Sequence, residues 1–221
     1  MDQLLDQFFN LEIMAAAWPT ILRGLGMTLL LCLLVIPLGV IGGLAAALTS
    51  LSPRRWVRWP AIALVDLFRA IPPLVLLIFV YAGLPFAGIR MSPFVAVAIA
   101  FMLNNSAYYG EVLRAGILSV PRGQAEAARS TGMTHAQTMR AVVLPQGVRN
   151  VLPDLISNTV EVVKLTSLAS VVSLGEMLHA ANLARSVTYN ASPITMAALV
   201  YLILLWPAVR LVSRWQRRIA V

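Results

Sequence analysis

Three pairs of oppositely charged side chains interrupt long apolar runs of this sequence, and they are the groups best suited to chemistry. The members of each pair stand three residues apart: Asp66 and Arg69, Glu111 and Arg114, Glu161 and Lys164. On a helix, residues at this spacing share one face, so each pair can neutralise itself locally. Because a charged group at the centre of a membrane span costs about 2.5 to 3.5 kcal/mol, each pair is expected either to form a structural ion pair or to face an aqueous cavity.

Amides and hydroxyls accompany two of these pairs and could bind a solute with few net charges. Asn104, Tyr108 and Glu111 follow one another at spacings of four and three residues, so they share one helix face. Further along the chain, Lys164 could orient a carboxylate while Glu161 holds an ammonium group. The candidate solute-pathway residues are Asn104, Asn105, Tyr108, Glu111, Glu161, Lys164, Thr166 and Ser167.

The sequence offers no convergent set of groups for catalysis. The two histidines, His135 and His179, lie in different polar segments, and the single cysteine, Cys32, lies in an apolar run and is expected to be a packing residue. No glycine-rich phosphate loop is present, and no extramembrane segment is long enough for a nucleotide-binding domain. We therefore expect no catalytic residue, no metal site and no cofactor bound by this chain.

The composition is typical of a membrane protein. Of the 221 residues, 59% are hydrophobic and 12% are charged, and the mean hydropathy is +0.81, which is more apolar than a soluble core of this size requires. The net charge is +8 and the pI about 10.8, but the basic residues are scattered between apolar runs without interleaved aromatic residues. We assign this charge to lipid headgroups and topology and expect no nucleic acid partner.

Five apolar stretches are long enough to cross about 30 Å of hydrocarbon, which takes roughly 20 helical residues. We expect residues 1–19 to form an amphipathic interfacial segment and residues 20–221 to form one transmembrane domain. In the first span, Gly39 and Gly43 form a small-residue face for close packing. In the second, the Pro72–Pro73 pair predicts a break whose freed carbonyls face protein or water. The predicted spans are 21–48, about 60–84, one from about 93, about 151–172, and 193 to about 211.

The distribution of arginine predicts the orientation in the membrane. Five spans place the two termini on opposite sides, and Lys and Arg concentrate in cytoplasmic loops. We therefore expect the N-terminus outside and the C-terminus in the cytoplasm. The cytoplasmic set is Arg54, Arg55, Arg58, Arg114, Arg122, Arg129, Arg140, Arg149, Arg210, Arg214, Arg217 and Arg218, against Arg23, Arg90 and Arg185 outside.

The polar segment 121–145 lies between two predicted spans, and its pattern predicts two short helices joined by an elbow. Gly132 can take the left-handed conformation that ends the first helix. Thr134 is a candidate N-cap, and Gln137 stands three residues later, where a capping-box partner belongs. Pro145 is expected to interrupt the second helix. A preformed elbow between two spans indicates a docking element.

The elbow resembles the EAA loop of the membrane subunits of bacterial ATP-binding-cassette (ABC) importers. The matching pattern is Glu126-Ala127-Ala128, then Gly132 after three residues, then Val142-Val143-Leu144-Pro145, with Val142 where the family prefers Ile. Flanking stretches extend the resemblance to most of the chain, and together they are similar to the polar amino acid uptake permeases of the histidine and glutamine type. These stretches are 22–25, 68–74, 107–111, 119–124 and 164–170.

The resemblance implies an all-α integral membrane protein with the type I ABC importer permease fold, located in the bacterial cytoplasmic (inner) membrane. It implies two cytoplasmic ABC ATPase subunits that bind ATP and Mg²⁺, a second permease subunit, identical or homologous, an extracytoplasmic solute-binding protein, and membrane lipid. Leu165 stands where the family often has a polar residue, which leaves the solute class open. The residues that would couple to the ATPase are Gly123, Glu126, Ala127, Ala128, Gly132, Leu144 and Pro145.

Two other classes of protein remain open from the sequence. A secondary transporter would use a proton or sodium gradient through Glu111 or Glu161, although no internal inverted repeat is visible and five spans are few for that architecture. A membrane enzyme would need a convergent catalytic set. Dependence of transport on an ATPase subunit separates the importer from both.

Overall fold

A computed structural model describes residues 1–219 of the chain, with side chains through residue 214. This part is helical apart from short connections and contains no strand, in agreement with the predicted all-α class. Residues 220 and 221, at the end of the predicted transmembrane domain, lie outside the described residues. The α-helices are α1 Asp2–Phe9, α2 Leu11–Ser50, α3 Arg55–Ala70, α4 Pro73–Ile78, α5 Pro93–Ser119, α6 Arg122–Ser130, α7 His135–Thr138, α8 Leu144–Asn150, α9 Leu152–Leu165, α10 Met177–Thr188 and α11 Ser192–Ile219.

Three helical segments of the described chain are long and apolar enough to cross a membrane. The number becomes four if the broken pair of α3 and α4 counts as one span. Helix α5 is not among them. Its 27 residues would extend about 40 Å, but polar side chains from Asn104 onward lower its hydropathy. The count of five spans therefore stays a prediction, and so does the orientation. The qualifying segments are Asp2–Ser50, Leu152–Val172, Ser192–Arg214 and the pair Arg55–Ala70 with Pro73–Ala87.

The first long helix begins earlier than expected. Helix α1 ends at Phe9 and α2 begins at Leu11, so no helix boundary falls at residue 19. Asn10 explains this start, because its Oδ1 accepts a hydrogen bond from the Ile13 N–H at 3.1 Å, as an N-cap side chain does. Pro19 is accommodated inside α2, as prolines in membrane helices can be.

The predicted break in the second span is confirmed. Helix α3 ends at Ala70 and α4 begins at Pro73, and Ile71 between them is extended, with φ −79° and ψ 126°. Pro72 disfavours the helical conformation at the residue before it. Pro73 stands in the first turn of α4, where its missing N–H leaves no gap in the hydrogen bonds of that helix.

The chain divides into two compact units, each with its own apolar cluster. The first unit comprises Met1–Ile36, Pro72–Phe101 and Val160–Leu211. Its buried cluster consists of Ala17, Ile21, Met177, Ala181 and Ala197. The second unit comprises Pro37–Ile71, Met102–Thr159 and the residues from Val212 onward. Its buried cluster consists of Ala47, Leu113, Ile117, Val120 and Val143.

Helix packing in the second unit depends on small residues of α2. A Cβ added at Gly43 would lie 2.6 Å from the Cβ of Tyr109 and 2.8 Å from the backbone nitrogen of Gly110. A Cβ at Gly39 would lie 3.3 Å from the Cβ of Asn105, which is itself only 4% exposed. No side chain fits at position 43. Because glycine has none, α2 and α5 can approach each other this closely. The predicted small-residue face is confirmed.

Candidate functional site

The elbow, residues 121–145, has the local structure that its residues predict. Helix α6 ends at Ser130, and Gly132 follows in the left-handed region with φ +89°. Thr134 then caps α7. Its Oγ1 accepts the Gln137 N–H at 3.3 Å, and its own N–H donates to Oε1 of Gln137 at 2.8 Å. Both halves of the capping box are formed, so the elbow's own residues define the turn.

The hydrogen-bond pattern of the second elbow helix changes just before Pro145, as the missing amide of that proline led us to expect. The chain passes from α7 through a π-helical turn, Met139–Val143, directly into α8, and Pro145 stands in the first turn of α8. The Leu144 N–H donates to the Met139 carbonyl five residues back, and Pro145, which has no N–H, follows where the π-helical turn passes into α8. The elbow therefore continues into α8 without a gap.

The elbow has one buried face and one exposed face. Ala128 of α6 is 9% exposed, and Ala125 packs against the buried cluster that contains Val143 of the elbow and Leu113 and Ile117 of α5. Ala125 and Ala128 thus lie towards the buried face of the elbow, and Leu144 is half-buried. The other predicted coupling residues are all exposed: Gly123, Glu126, Ala127, Gly132 and Pro145.

A backbone contact ties the end of the elbow to α5. A Cβ added at Gly116 of α5 would lie 2.5 Å from the carbonyl oxygen of Gly147 in α8, and one at Gly147 would lie 2.9 Å from the carbonyl carbon of Gly116. Neither position accepts a side chain unless a backbone moves. The backbones of α8 and α5 are therefore in close contact here, and α5 is the helix that carries the predicted pathway residues 104–111.

Asn104 and Tyr108 satisfy the two carbonyls that the Pro72–Pro73 pair frees. In an unbroken helix, the carbonyls of Phe68 and Arg69 would accept the amides of residues 72 and 73, but proline has no N–H. Instead, Asn104 Nδ2 donates to the Phe68 oxygen at 2.9 Å, and the Tyr108 hydroxyl donates to the Arg69 oxygen at 3.4 Å. The freed carbonyls face protein groups, one of the two outcomes expected from the sequence.

Glu111 forms the ion pair expected with Arg114, whose Nε donates to Glu111 Oε2 at 2.9 Å while a terminal nitrogen donates to Oε1. A guanidinium nitrogen of Arg69 also lies 4.0 Å from Glu111 Oε2, and this guanidinium lies 5.8 Å from the ring centroid of Tyr108. The expected pair of Asp66 with Arg69 is not among the ion pairs of the described side chains. Arg69 instead turns towards Glu111, and Asp66 interacts electrostatically with Arg114.

The later group of predicted pathway residues lies in the first unit. Lys164 Nζ donates to Glu161 Oε1, which confirms that pair, and the two side chains are 50% and 66% exposed. Thr166 is buried and donates to the Val163 carbonyl at 2.7 Å, while Ser167 donates to the Lys164 carbonyl at 2.7 Å. Glu161 and Lys164 are thus the accessible members of this group. The expectation that this group and residues 104–111 contribute to one solute pathway stays a prediction.

Glu176 is a buried carboxylate that the sequence reasoning did not single out. It is 0% exposed, and it caps α10 by accepting the Leu178 N–H at 2.9 Å and the His179 N–H at 2.6 Å. Burial raises the pKa of this carboxyl from 4.5 to about 7, although both amides and Tyr201 act to lower it. Glutamate is not among the residues favoured at N-caps, so local propensity does not reveal this site.

Neutralising Glu176 is expected to remove a pH dependence of stability. A folded-state pKa above the ordinary value means that the native protein binds the proton more tightly than the unfolded chain. The free energy of unfolding therefore falls as pH rises from about 4.5 to 7, by about 3 kcal/mol for a shift of this size. Glu176→Gln should flatten this slope in thermal unfolding followed between pH 5 and pH 8. The exposed control Glu12→Gln should keep it, and an unchanged slope in Glu176→Gln would contradict the assignment.

Comparison with known proteins identifies relatives along nearly the whole chain. The family model described as "Binding-protein-dependent transport system inner membrane component" matches residues 36–221. The probable amino-acid ABC transporter permease protein YckA of Bacillus subtilis (strain 168) is 36% identical over 178 residues, 80% of this chain and 79% of YckA. The glutamate/aspartate import permease protein GltK of Escherichia coli O157:H7 is 33% identical over 221 residues, 96% of this chain and 99% of GltK.

Solved structures share the fold. A chain from the crystal structure of an amino acid ABC transporter with histidines is 36% identical and superposes with a TM-score of 0.84, covering 93% of this chain and 96% of that one. A chain from the MetNI methionine ABC transporter has a TM-score of 0.76 at 20% identity and covers 90% of this chain and 95% of that one. Because the MetNI chain is only 20% identical, this similarity shows a shared fold and nothing more.

Proposed function

Because the chain belongs to the family of binding-protein-dependent transport system inner membrane components, we propose that ATP hydrolysed by partner subunits drives the import of a polar amino acid through it. The chain is a permease subunit of an amino-acid ABC importer in the inner membrane, and it has no ATPase activity of its own. ATPase and binding-protein partners follow from the family. The proposed assembly has two ATPases carrying ATP and Mg²⁺, two permease subunits, and an extracytoplasmic binding protein.

The observation that carries the proposal is the elbow. Its turn is defined by Gly132 and the capping box, its buried face packs within the second unit, and Glu126 and Ala127 stand exposed on the other face. A rigid, exposed projection is what a partner needs in order to move a helix by pushing on it. The backbone contact between Gly147 and Gly116 then gives the displacement a direct path into α5.

The proposed solute path uses the accessible charged pairs. Lys164 would orient the solute carboxylate, and Glu161 would hold the ammonium group, each partly compensated by the other. Glu111 and Tyr108 are proposed to contribute from α5. Asn104 is 2% exposed and engaged with α3; like Asn105, Thr166 and Ser167, it is proposed to shape the path.

The orientation that fits this function places the elbow and the C-terminus in the cytoplasm and the N-terminus outside. The loops rich in arginine would then lie on the cytoplasmic side. Only in this orientation does the exposed face of the elbow meet a cytoplasmic ATPase.

Uptake by the purified complex tests the function. Proteoliposomes containing this chain and its copurifying subunits, with ATP and Mg²⁺ on the ATPase side, are expected to accumulate a labelled polar amino acid supplied with its binding protein. Omission of the ATPase subunit should reduce uptake to the level of protein-free vesicles. Ionophores that collapse proton and sodium gradients should leave uptake intact. Uptake that persists without ATPase and disappears with ionophore would instead support a secondary transporter.

A further inference from the structure

We propose that a groove in the second unit holds one acyl chain of an anionic phospholipid, and that arginines at one end of the groove bind its phosphate. The groove has a volume of about 480 Å³ and is lined almost entirely by apolar atoms. Its walls come from three helices and include Gly42 and Ala46 of α2, Ala61 and Phe68 of α3, and Met102 and Ser106 of α5. The inference uses the membrane orientation proposed above, but it does not depend on the transport role.

The dimensions of the groove fit a single acyl chain. Along α3, its lining runs from Val57 to Phe68, which corresponds to about 16 Å at the rise of an α-helix. That length is about half of the 30 Å thickness of the hydrocarbon core, so the groove spans one leaflet. A single acyl chain therefore matches the groove in length and in its apolar lining.

The charges at one end of the groove complement a phosphate. Arg58 lies on α3 within one turn of Ala61, and Arg54 is the N-cap residue at which this helix begins. Arg54 and Arg55 are exposed, Arg58 is half-buried, and none of the three forms an ion pair with the described side chains. Guanidinium groups bind phosphate oxygens in a bidentate manner.

The aromatic residues beside these arginines favour the same depth in the membrane. Trp56 is 94% and Trp59 62% exposed. Exposed indoles are typical of the membrane–water interface, at the level of the headgroups. The cytoplasmic leaflet carries the anionic lipids, and the proposed orientation places this loop on that side. The guanidinium groups and the exposed indoles thus lie together beside the apolar groove, as a phosphate-binding site at the membrane interface requires.

Lipid retention by the full-length chain with its copurifying subunits tests the proposal. The complex is purified in mild detergent and titrated with phosphatidylglycerol or phosphatidylcholine of identical acyl chains, and bound lipid is counted by native mass spectrometry. The wild type should retain phosphatidylglycerol over phosphatidylcholine by roughly tenfold, the scale set by two arginines near a phosphate. Arg54→Gln with Arg58→Gln should remove this preference. Ala61→Phe, which fills the groove, should reduce retention of both lipids.

Ala63→Phe is the matched control, because Ala63 lies on the same helix, is exposed and does not line the groove. It should retain lipid as the wild type does. Equal retention of the two lipids by the wild type, or undiminished retention in Ala61→Phe, would overturn the proposal. A disulfide between two copies of the chain carrying Ala61→Cys in a Cys32→Ser background would also overturn it, because it would place a second copy at the groove.

Discussion

Replacing Gly132 by valine is expected to abolish ATP-driven uptake while the protein still inserts into the membrane. Gly132 has φ +89°, and nothing lies within 4 Å of a Cβ built on it, so the strain comes from the backbone and not from crowding. A β-branched residue in the left-handed region costs about 1–2 kcal/mol or more, so the turn would relax and misalign α6 with α7. The exposed residues Glu126 and Ala127 would then be displaced from their proposed contact with the ATPase subunit. Uptake by proteoliposomes and the amount of copurifying ATPase measure this loss.

Asparagine at position 132 is the matched control, because asparagine tolerates the left-handed region better than other residues with a side chain. Gly132→Asn should keep uptake and ATPase association. Glu126→Lys leaves the turn intact but reverses a charge on the exposed face, and it should lose ATPase association. Wild-type uptake by Gly132→Val would show that the elbow is not the coupling element.

The elbow was predictable because all the residues that define it are close in sequence. Gly132, Thr134 and Gln137 determine the turn through their own backbone preferences and one reciprocal pair of hydrogen bonds, so no distant contact is needed. The break at the Pro72–Pro73 pair followed for the same reason, since two missing amides and the restriction on Ile71 are local effects. In both places local chemistry and the final fold agree.

The candidate site was less predictable because its contacts join distant parts of the chain. Arg69 has Asp66 one helical turn away, yet it approaches Glu111 of α5, and only the packing of α3 on α5 decides between these partners. Glu176 was missed because its burial comes from elements that surround it in space. Asn10 was not identified as the cap of α2 because the long apolar run that predicted the first span begins only at Ile21.

Replacing Asn104 by leucine is expected to lower the free energy of unfolding by several kcal/mol, the cost of an unsatisfied backbone group within a membrane. Asn104 is 2% exposed and donates to the Phe68 carbonyl at 2.9 Å. Leucine has a similar size but no donor, and Pro72 has no N–H to offer in its place. The Phe68 carbonyl would be left buried without a partner. Thermal unfolding in detergent and the yield of protein from the membrane measure the loss, and uptake should fall with the amount of folded protein.

A second substitution separates the missing hydrogen bond from other effects of leucine. Pro72→Ala in the Asn104→Leu background supplies an amide at the position that an unbroken helix would use for the Phe68 carbonyl, so stability should partly return as α3 extends through Ile71. Asn150→Leu is the control, because Asn150 is exposed and donates only to the Ser119 hydroxyl; its effect should be small. If Asn104→Leu is no less stable than Asn150→Leu, the broken helix does not depend on Asn104. If stability returns in the double variant without uptake, then the break itself, with its carbonyls held by α5, is required for transport.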